Sequence, residues 1–303
     1  MTIVVLLAAL AVLGIVFAVV FLRTAAQRGE LGASLESMGL GFVTNFFDTL
    51  GIGSFAPTTA WFKLRRMVPD RLIPPTLLVG LTAGAMVEGF IFLVGVRVDP
   101  VLLFGCSIAV LFGGLTGAPL VARARVWVVQ AIVAIGLLVA AGFYVLTNLN
   151  LSPTGGLAEG LPPFLTFIAI AANFGFGILA NFGVGNYAPT MAMFSLMGMN
   201  PISCFPIMAA GGGFMGAGAS LRHLAIGEID LRVVIGLIMG GIPAVFVAAW
   251  LVVSMPLETL RWLVLVVVLY AAAVMGYAAL HGWREGKAEP GTSGLAPEAE
   301  GDA

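Results

Sequence analysis

Asp48 and Glu88 are the only acidic residues well inside apolar stretches of the chain. An ionised carboxylate at membrane depth is expensive unless it faces a cavity, finds a partner or takes up a proton. The chemistry open to these two is carriage of a coupling proton; the plainer reading is a neutral acid held by hydrogen bonds. Asp48 lies three residues before Gly51-Ile-Gly53, and a second Gly-x-Gly stands at Gly183-Val-Gly185, each followed four residues later by a proline. Uncharged polar residues gather around both: Asn45, Thr49, Ser54, Thr58 and Thr59 in one segment, Asn173, Asn181, Asn186, Tyr187 and Thr190 in the other. Where a helix resumes near Ser54 or Asn186, its unpaired N–H groups and positive dipole end attract an anion. Glycine there lets a ligand approach the backbone. No lysine or arginine falls in either segment before Lys63, so an anion would be held by amides and hydroxyls, which suits its release. The alternative is that glycine permits tight helix packing and Ser, Thr and Asn glue helices together. Recurrence of the whole constellation at two places favours binding.

Other chemistries find no support in the residue pattern. Gly51-Ile-Gly-Ser-Phe-Ala fits a dinucleotide fingerprint as a string, but it lacks the preceding strand and the βαβ unit. Gly218-Ala-Ser220-Leu has the look of an intramembrane serine protease site, yet nothing places His281 beside Ser220. Cys106 and Cys204 sit in apolar runs without disulfide or metal spacing. His223 and His281 fall at span ends. The expectation is a chain that is not an enzyme and has neither a metal nor a cofactor.

The elements that position these residues must lie in a membrane. The chain has 303 residues, of which 60% are hydrophobic and 10% charged, with a net charge of −1. Soluble domains carry about 25% charged residues, so a water-soluble globule is excluded, as is a nucleic-acid binder, for want of a basic patch. A helix crossing the ~30 Å hydrocarbon core needs about 20 apolar residues. Seven stretches qualify: 2–22, 72–96, 101–122, 126–147, 201–221, 233–254 and 262–280. The first lacks a basic leader and a cleavage site and reads as a retained span. The segments 35–64 and 163–199 are apolar but interrupted by Gly-x-Gly and proline, which should break a helix. Broken backbone at membrane depth is tolerated only against protein or a water-filled cavity. The linker 148–162 carries one charge, and the polar tail 284–303 is expected to be disordered.

The two broken segments are copies of each other. An offset of 132 residues sets Gly51-Ile-Gly-Ser-Phe-Ala-Pro-Thr on Gly183-Val-Gly-Asn-Tyr-Ala-Pro-Thr and runs on without a gap, with 14 identities in 35 positions over 51–85. Each copy also holds three full spans. Were each broken segment to cross the membrane, the copies would be parallel and the 14 basic residues would divide seven to seven. Were each to turn back as a hairpin, the copies would be inverted and 12 of the 14 would share one side, only Arg97 and Arg261 lying opposite. The positive-inside rule selects the hairpins. The expected fold is therefore an all-α polytopic membrane protein: an N-terminal transmembrane helix with its linker (1–30), repeat 1 (31–147), an extracytoplasmic linker (148–162), repeat 2 (163–283) and a cytoplasmic tail. Each repeat is a re-entrant hairpin plus three transmembrane helices. It would be a multi-pass protein of the cell membrane, with its N-terminus outside and its C-terminus in the cytoplasm. Inverted repeats with broken helices mark alternating-access transporters.

The half-repeats LGIGSFAPT and NFGVGNYAPT, the downstream Pro74 and Pro206, and small-residue clusters such as GGGFMGAGAS resemble the TauE/SafE family of sulfite exporter-like membrane permeases over roughly 35–280. Members of that family usually show Gly-x-Gly-Gly-Gly where this chain has Gly-Ile-Gly-Ser-Phe and Gly-Val-Gly-Asn-Tyr, so the resemblance is to a divergent branch. It implies transport, often export, of sulfite, an organosulfonate or a related small anion. The expected partners are that anion and the lipid bilayer. Substrate contacts are expected from Asn45, Thr49, Gly51, Gly53, Ser54, Thr58, Asn181, Gly183, Gly185, Asn186, Tyr187 and Thr190, and proton coupling from Asp48 and Glu88. An anion channel and a non-transport assembly or sensor subunit are the alternatives. Cysteines placed singly at Leu35 and Arg65 are expected to react with an impermeant thiol reagent from the same side of the membrane. Labelling from opposite sides would overturn the hairpin topology.

Overall fold

A computed structural model describes residues 2–51, 53–121, 126–149, 158–180 and 186–288. Asn181, Gly183 and Gly185 lie outside them. Among the described residues the chain is all-helical, apart from one isolated bridge between Ala158 and Met199. Its helices are α1 (Thr2–Arg28), α2 (Leu35–Thr49), α3 (Phe55–Arg65), α4 (Ile73–Gly95), α5 (Pro100–Val121), α6 (Val126–Asn148), α7 (Pro163–Ala180), α8 (Tyr187–Leu196), α9 (Pro201–Ile226), α10 (Leu231–Ser254) and α11 (Leu257–Ala288). Five of them, α1, α4, α9, α10 and α11, are long and apolar enough to cross a membrane. The two other full stretches marked by the sequence become α5 and α6, of 22 and 23 residues. Many large apolar side chains across the helices, including Val4, Ile15, Phe104, Ile132, Phe167, Trp250 and Tyr277, face outward, as a lipid-facing surface requires. At the far end α11 runs on to Ala288, past the point where the composition turns polar, since Arg, Glu, Lys and Ala are all good helix formers.

The broken segments divide as their glycines dictate. Gly51 and Gly53 have φ of 93° and 90°, a conformation that disfavours any residue with a Cβ. The prolines do not break the helix. Pro57 and Pro189 each occupy the third position of a new one, where a backbone N–H has no partner within the helix. The new helices α3 and α8 begin at Phe55 and Tyr187, positions equated by the 132-residue offset. They also end alike. The Met67 amide donates to Phe62 O at 3.1 Å and the Met199 amide to Phe194 O at 3.0 Å. Left-handed Arg66 and Gly198 stand just before those donors, which is the Schellman way of closing a helix.

Contacts between helices repeat with the same exchange. α2 packs along α10, and its counterpart α7 packs along α5. On the first pair Ser37 meets Gly236, Gly41 meets Leu237, Met38 meets Gly240 and Asn45 meets Gly241, so both helices advance in the same direction. The second pair does likewise, with Ile170 at Gly105 and Gly177 at Gly113 and Gly114. The equivalent helices α4 and α9 run in opposite directions: Gly89 meets Ala209, Met86 meets Gly213, and Thr82 meets Gly216 and Ser220. α6 and α11 also oppose, with Ala134 at Gly276 and Trp127 at Gly282. The Ser220 hydroxyl is wholly buried and lies 2.8 Å from Thr82 Oγ1, which makes it part of the α4–α9 crossing.

Hydrogen bonds tie the connections into two ends. At one, the Asp99 amide donates to Glu159 O and the Asn200 amide to Ala158 O, each at 2.9 Å. These bonds join the α4–α5 connection, the linker and the start of α9. At the other, the Asp230 amide donates to Thr76 Oγ1 at 3.0 Å, Gly227 lies against the Arg28 guanidinium, and Arg65 Nε stands 2.8 Å from Glu36 Oε1. That ion pair joins the start of α2 to the end of α3, and Trp61 Nε1 also donates to Glu36.

One departure from the exchange stands out. α8 packs on α6, α9 and α11 and is buried along most of its length, whereas α3 packs chiefly on α2 and α4 and leaves Trp61, Lys63, Leu64 and Arg65 exposed. The close helix pairs depend on missing side chains. A Cβ at Gly240 would meet the Met38 carbonyl, whereas at Gly136 nothing lies within 4 Å. Gly240→Ala should therefore lower stability by about 1–3 kcal/mol through overpacking. Gly136→Ala should be neutral or gain up to ~1 kcal/mol from helix propensity. Thermal unfolding of the two variants in detergent checks the difference.

Candidate functional site

The site grows from the two breaks. α3 and α8 each begin with N–H groups that have no partner within the helix. Because Pro57 and Pro189 carry no N–H, the donors left are those of the N-cap and the first two residues: Ser54, Phe55 and Ala56, or Asn186, Tyr187 and Ala188. The N-cap residues Ser54 and Asn186 are in αR rather than extended conformation, and neither side chain caps its helix. Both side chains thus remain available to something other than their own helix.

The two helix starts share one cavity. Its wall combines Asp48, Gly53 and Phe55 of the first segment with Asn186, Tyr187, Ala188 and Pro189 of the second. Thr82 and Ala85 of α4, Gly212 and Gly216 of α9, and Tyr270 and Met275 of α11 complete it. Its volume is about 100 Å³, and it is partly open to the surroundings. Gly53 has open space where a Cβ would stand, and Gly51 lies against Met191 of α8. Asp48 is the only carboxylate on this wall, and no lysine, arginine or histidine is on it among the described residues.

Burial without partners singles out the same place. Among the described residues, five buried side-chain polar atoms make no hydrogen bond within the protein: Ser54 Oγ, Tyr187 OH, Thr190 Oγ1, Glu88 Oε1 and Ser107 Oγ. Three of the five belong to the helix starts. A fourth, Glu88, has the Tyr187 hydroxyl approaching it, short of a regular hydrogen bond. The fifth, Ser107, belongs to α5. Leaving a buried polar atom unpaired costs about 1–3 kcal/mol, so such a concentration marks groups that await a ligand or solvent. The Asp48 carboxyl turns toward the amide and hydroxyl of Ser54. Glu88 is enclosed behind Tyr187 and is not on the cavity wall.

Three of the expected contacts are engaged elsewhere. Asn45 Nδ2 donates to Gly41 O at 2.8 Å, Thr49 Oγ1 to Asn45 O at 2.9 Å and Thr58 Oγ1 to Ser54 O at 2.7 Å. Each donor is committed to its own helix, and Asn45 is wedged between Gly84 and Gly241. Asn173 makes the equivalent bond to Ala169 O at 2.9 Å. Gly51, Gly53, Ser54, Asn186, Tyr187 and Thr190 come together at the breaks, with Asp48 beside them. Thr82 and Tyr270 also line the cavity, and residue spacing does not single them out because each lies within an unbroken apolar span. A polar side chain inside such a span was the one available signal.

No protein-family model, curated protein or solved structure matches this chain. Since the hydroxyls of Tyr187 and Thr190 lack partners, Tyr187→Phe and Thr190→Val should not destabilise the ligand-free protein and should raise its stability by up to ~1 kcal/mol. A clear fall in melting temperature for either would show that its hydroxyl is bonded.

Proposed function

We propose that the chain is a secondary membrane transporter for a small anion, held between the starts of α3 and α8. The observation that carries this reading is the shared cavity, lined by the starts of both helices together with Asp48, the uncapped Asn186 and Tyr187. Donors without a fixed cation bind an oxyanion reversibly, as transport requires.

The contact directions support inverted repeats. Equivalent helices α4 and α9 oppose each other, as do α6 and α11, whereas parallel copies would align them. The Glu36–Arg65 pair supports a hairpin. An α2–α3 segment continuing straight would separate these residues by about 40 Å at 1.5 Å per residue. Ala158 bonded to Asn200 supports a second hairpin, entered from the opposite end. With Lys63, Arg65, Arg66 and Arg71 at the mouth of the first hairpin, that mouth is cytoplasmic and the N-terminus of α1 is outside the cell. The tight seat of α8 and the loose seat of α3 fit a state closed on one side and open on the other, which an exchange of roles between the repeats would reverse. Choice of a sulfur oxyanion or organosulfonate as cargo rests on the resemblance of the two glycine motifs.

Purified protein in liposomes should take up labelled sulfite, sulfate, thiosulfate or taurine faster than empty vesicles. Gly53→Leu fills the cavity and forces a branched side chain into a left-handed conformation, so it should reduce flux at least tenfold while membrane insertion persists. Normal flux in this variant would refute the site.

A further inference from the structure

The cavity holds a carboxyl where the proposed anion must sit. Asp48 lines the same space as Asn186 and Tyr187 and is buried. Its carboxyl turns toward the Ser54 amide and hydroxyl, donors that an anion would otherwise take. The titratable groups facing it are few. Glu88 comes from α4, close enough for the two charges to interact; Tyr187 comes from α8 and Tyr270 from α11. α10, which packs along α2, has no titratable side chain between Val233 and Ser254. Lys63 and Arg65 of α3 are exposed at its far end. Tyr187 also lines this space, and its buried hydroxyl approaches Glu88 behind the wall, whereas among the described residues the Asp48 side chain makes no hydrogen bond to another side chain that would hold it away from the cavity.

We propose that the protein is an anion–proton symporter in which Asp48 is the proton site, so that the anion enters only when the Asp48 carboxyl carries a proton and the two cross together. The inference rests on the reading of this cavity as an anion site. An ionised Asp48 and a bound anion would be like charges in one poorly screened volume, with no cation on the wall among the described residues to offset them. The protonated carboxyl removes that repulsion and adds an O–H donor. Anion and proton thus favour each other's binding, and the coupling is reciprocal. An antiporter needs the opposite, each ligand excluding the other. The proton is taken from the side that supplies the anion, held on an Asp48 carboxylate oxygen, and released with the anion on the other side. A monoanion then moves without net charge.

The test uses the full chain in proteoliposomes loaded with a pH-sensitive dye, the membrane potential clamped with potassium and valinomycin. Sulfate, thiosulfate and methanesulfonate are the probes, since none of them binds protons near neutrality. Anion uptake should acidify the lumen, and its initial rate at low anion concentration should fall by up to about tenfold per unit rise in external pH. Asp48→Asn should abolish the acidification and flatten the pH slope whatever its absolute rate, and Asp48→Glu should retain both. Uptake by the unmodified protein that leaves lumen pH unchanged, or raises it, overturns symport while leaving the anion site standing. Absence of uptake for all three probes removes the anion site and symport with it. Because the dye readout on the unmodified protein decides the sign of coupling, the result does not depend on the variants folding.

Discussion

A backbone amide or carbonyl surrounded by hydrocarbon has no water to bond, and the rest of this structure depends on that constraint. Continuous helices satisfy it by themselves, which is why α1, α4, α9, α10 and α11 can present bare apolar surfaces. α2–α3 and α7–α8 cannot, because each pair leaves helix ends in the middle of an apolar region. Those ends survive only if other helices enclose them, and enclosure demands that backbones approach closely. Glycines at Gly236, Gly240 and Gly241 on α10, and at Gly105, Gly113 and Gly114 on α5, provide the approach. The glycine content is thus divided between two tasks, turning the chain at the breaks and letting neighbouring helices close around them.

Enclosure by the other repeat has a functional consequence. α2 lies against α10 and α7 against α5, so each broken segment is held by the copy to which it does not belong. Neither half could bury its own break alone, and the duplicated arrangement acts as one unit. Where the α4–α9 crossing brings the halves together, both helix starts open into one space. The same logic accounts for the uneven distribution of hydrogen bonds. Asn45, Thr49, Thr58 and Asn173 support the helices that lead into or out of the breaks. Ser54, Tyr187 and Thr190, one position before or within the first turn of the new helices, keep their hydroxyls unpaired.

Much of this was legible in the residues. Hydropathy located the long helices to within a few positions, apart from the further extent of α1, α9 and α11, because apolar length is a local property. Aligned Gly-x-Gly and proline located the breaks, since glycine's freedom at positive φ and proline's missing N–H are also local. Proline's part is different: Pro57 and Pro189 open helices, and at the first break the left-handed Gly51 and Gly53 interrupt the chain. That distinction depends on where the new helix starts, which composition does not state. Which polar residues face the cavity was less legible. Asn45 and Ser54 look alike in a list of donors, yet one is wedged between glycines and the other stands beside the Asp48 carboxyl.

The sequence by itself determined that the chain is built for a membrane, that it is duplicated, and that its helices break at two glycine pairs. All three follow from residue type, spacing and the solvation of backbone and side chains. Only the tertiary structure decided that α4 opposes α9, that Glu36 reaches Arg65, and that Asp48 shares a wall with Tyr187 while Glu88 stands behind it. Those facts join residues far apart in the chain. They depend on how the grooves of one copy receive the ridges of the other, which no single segment encodes.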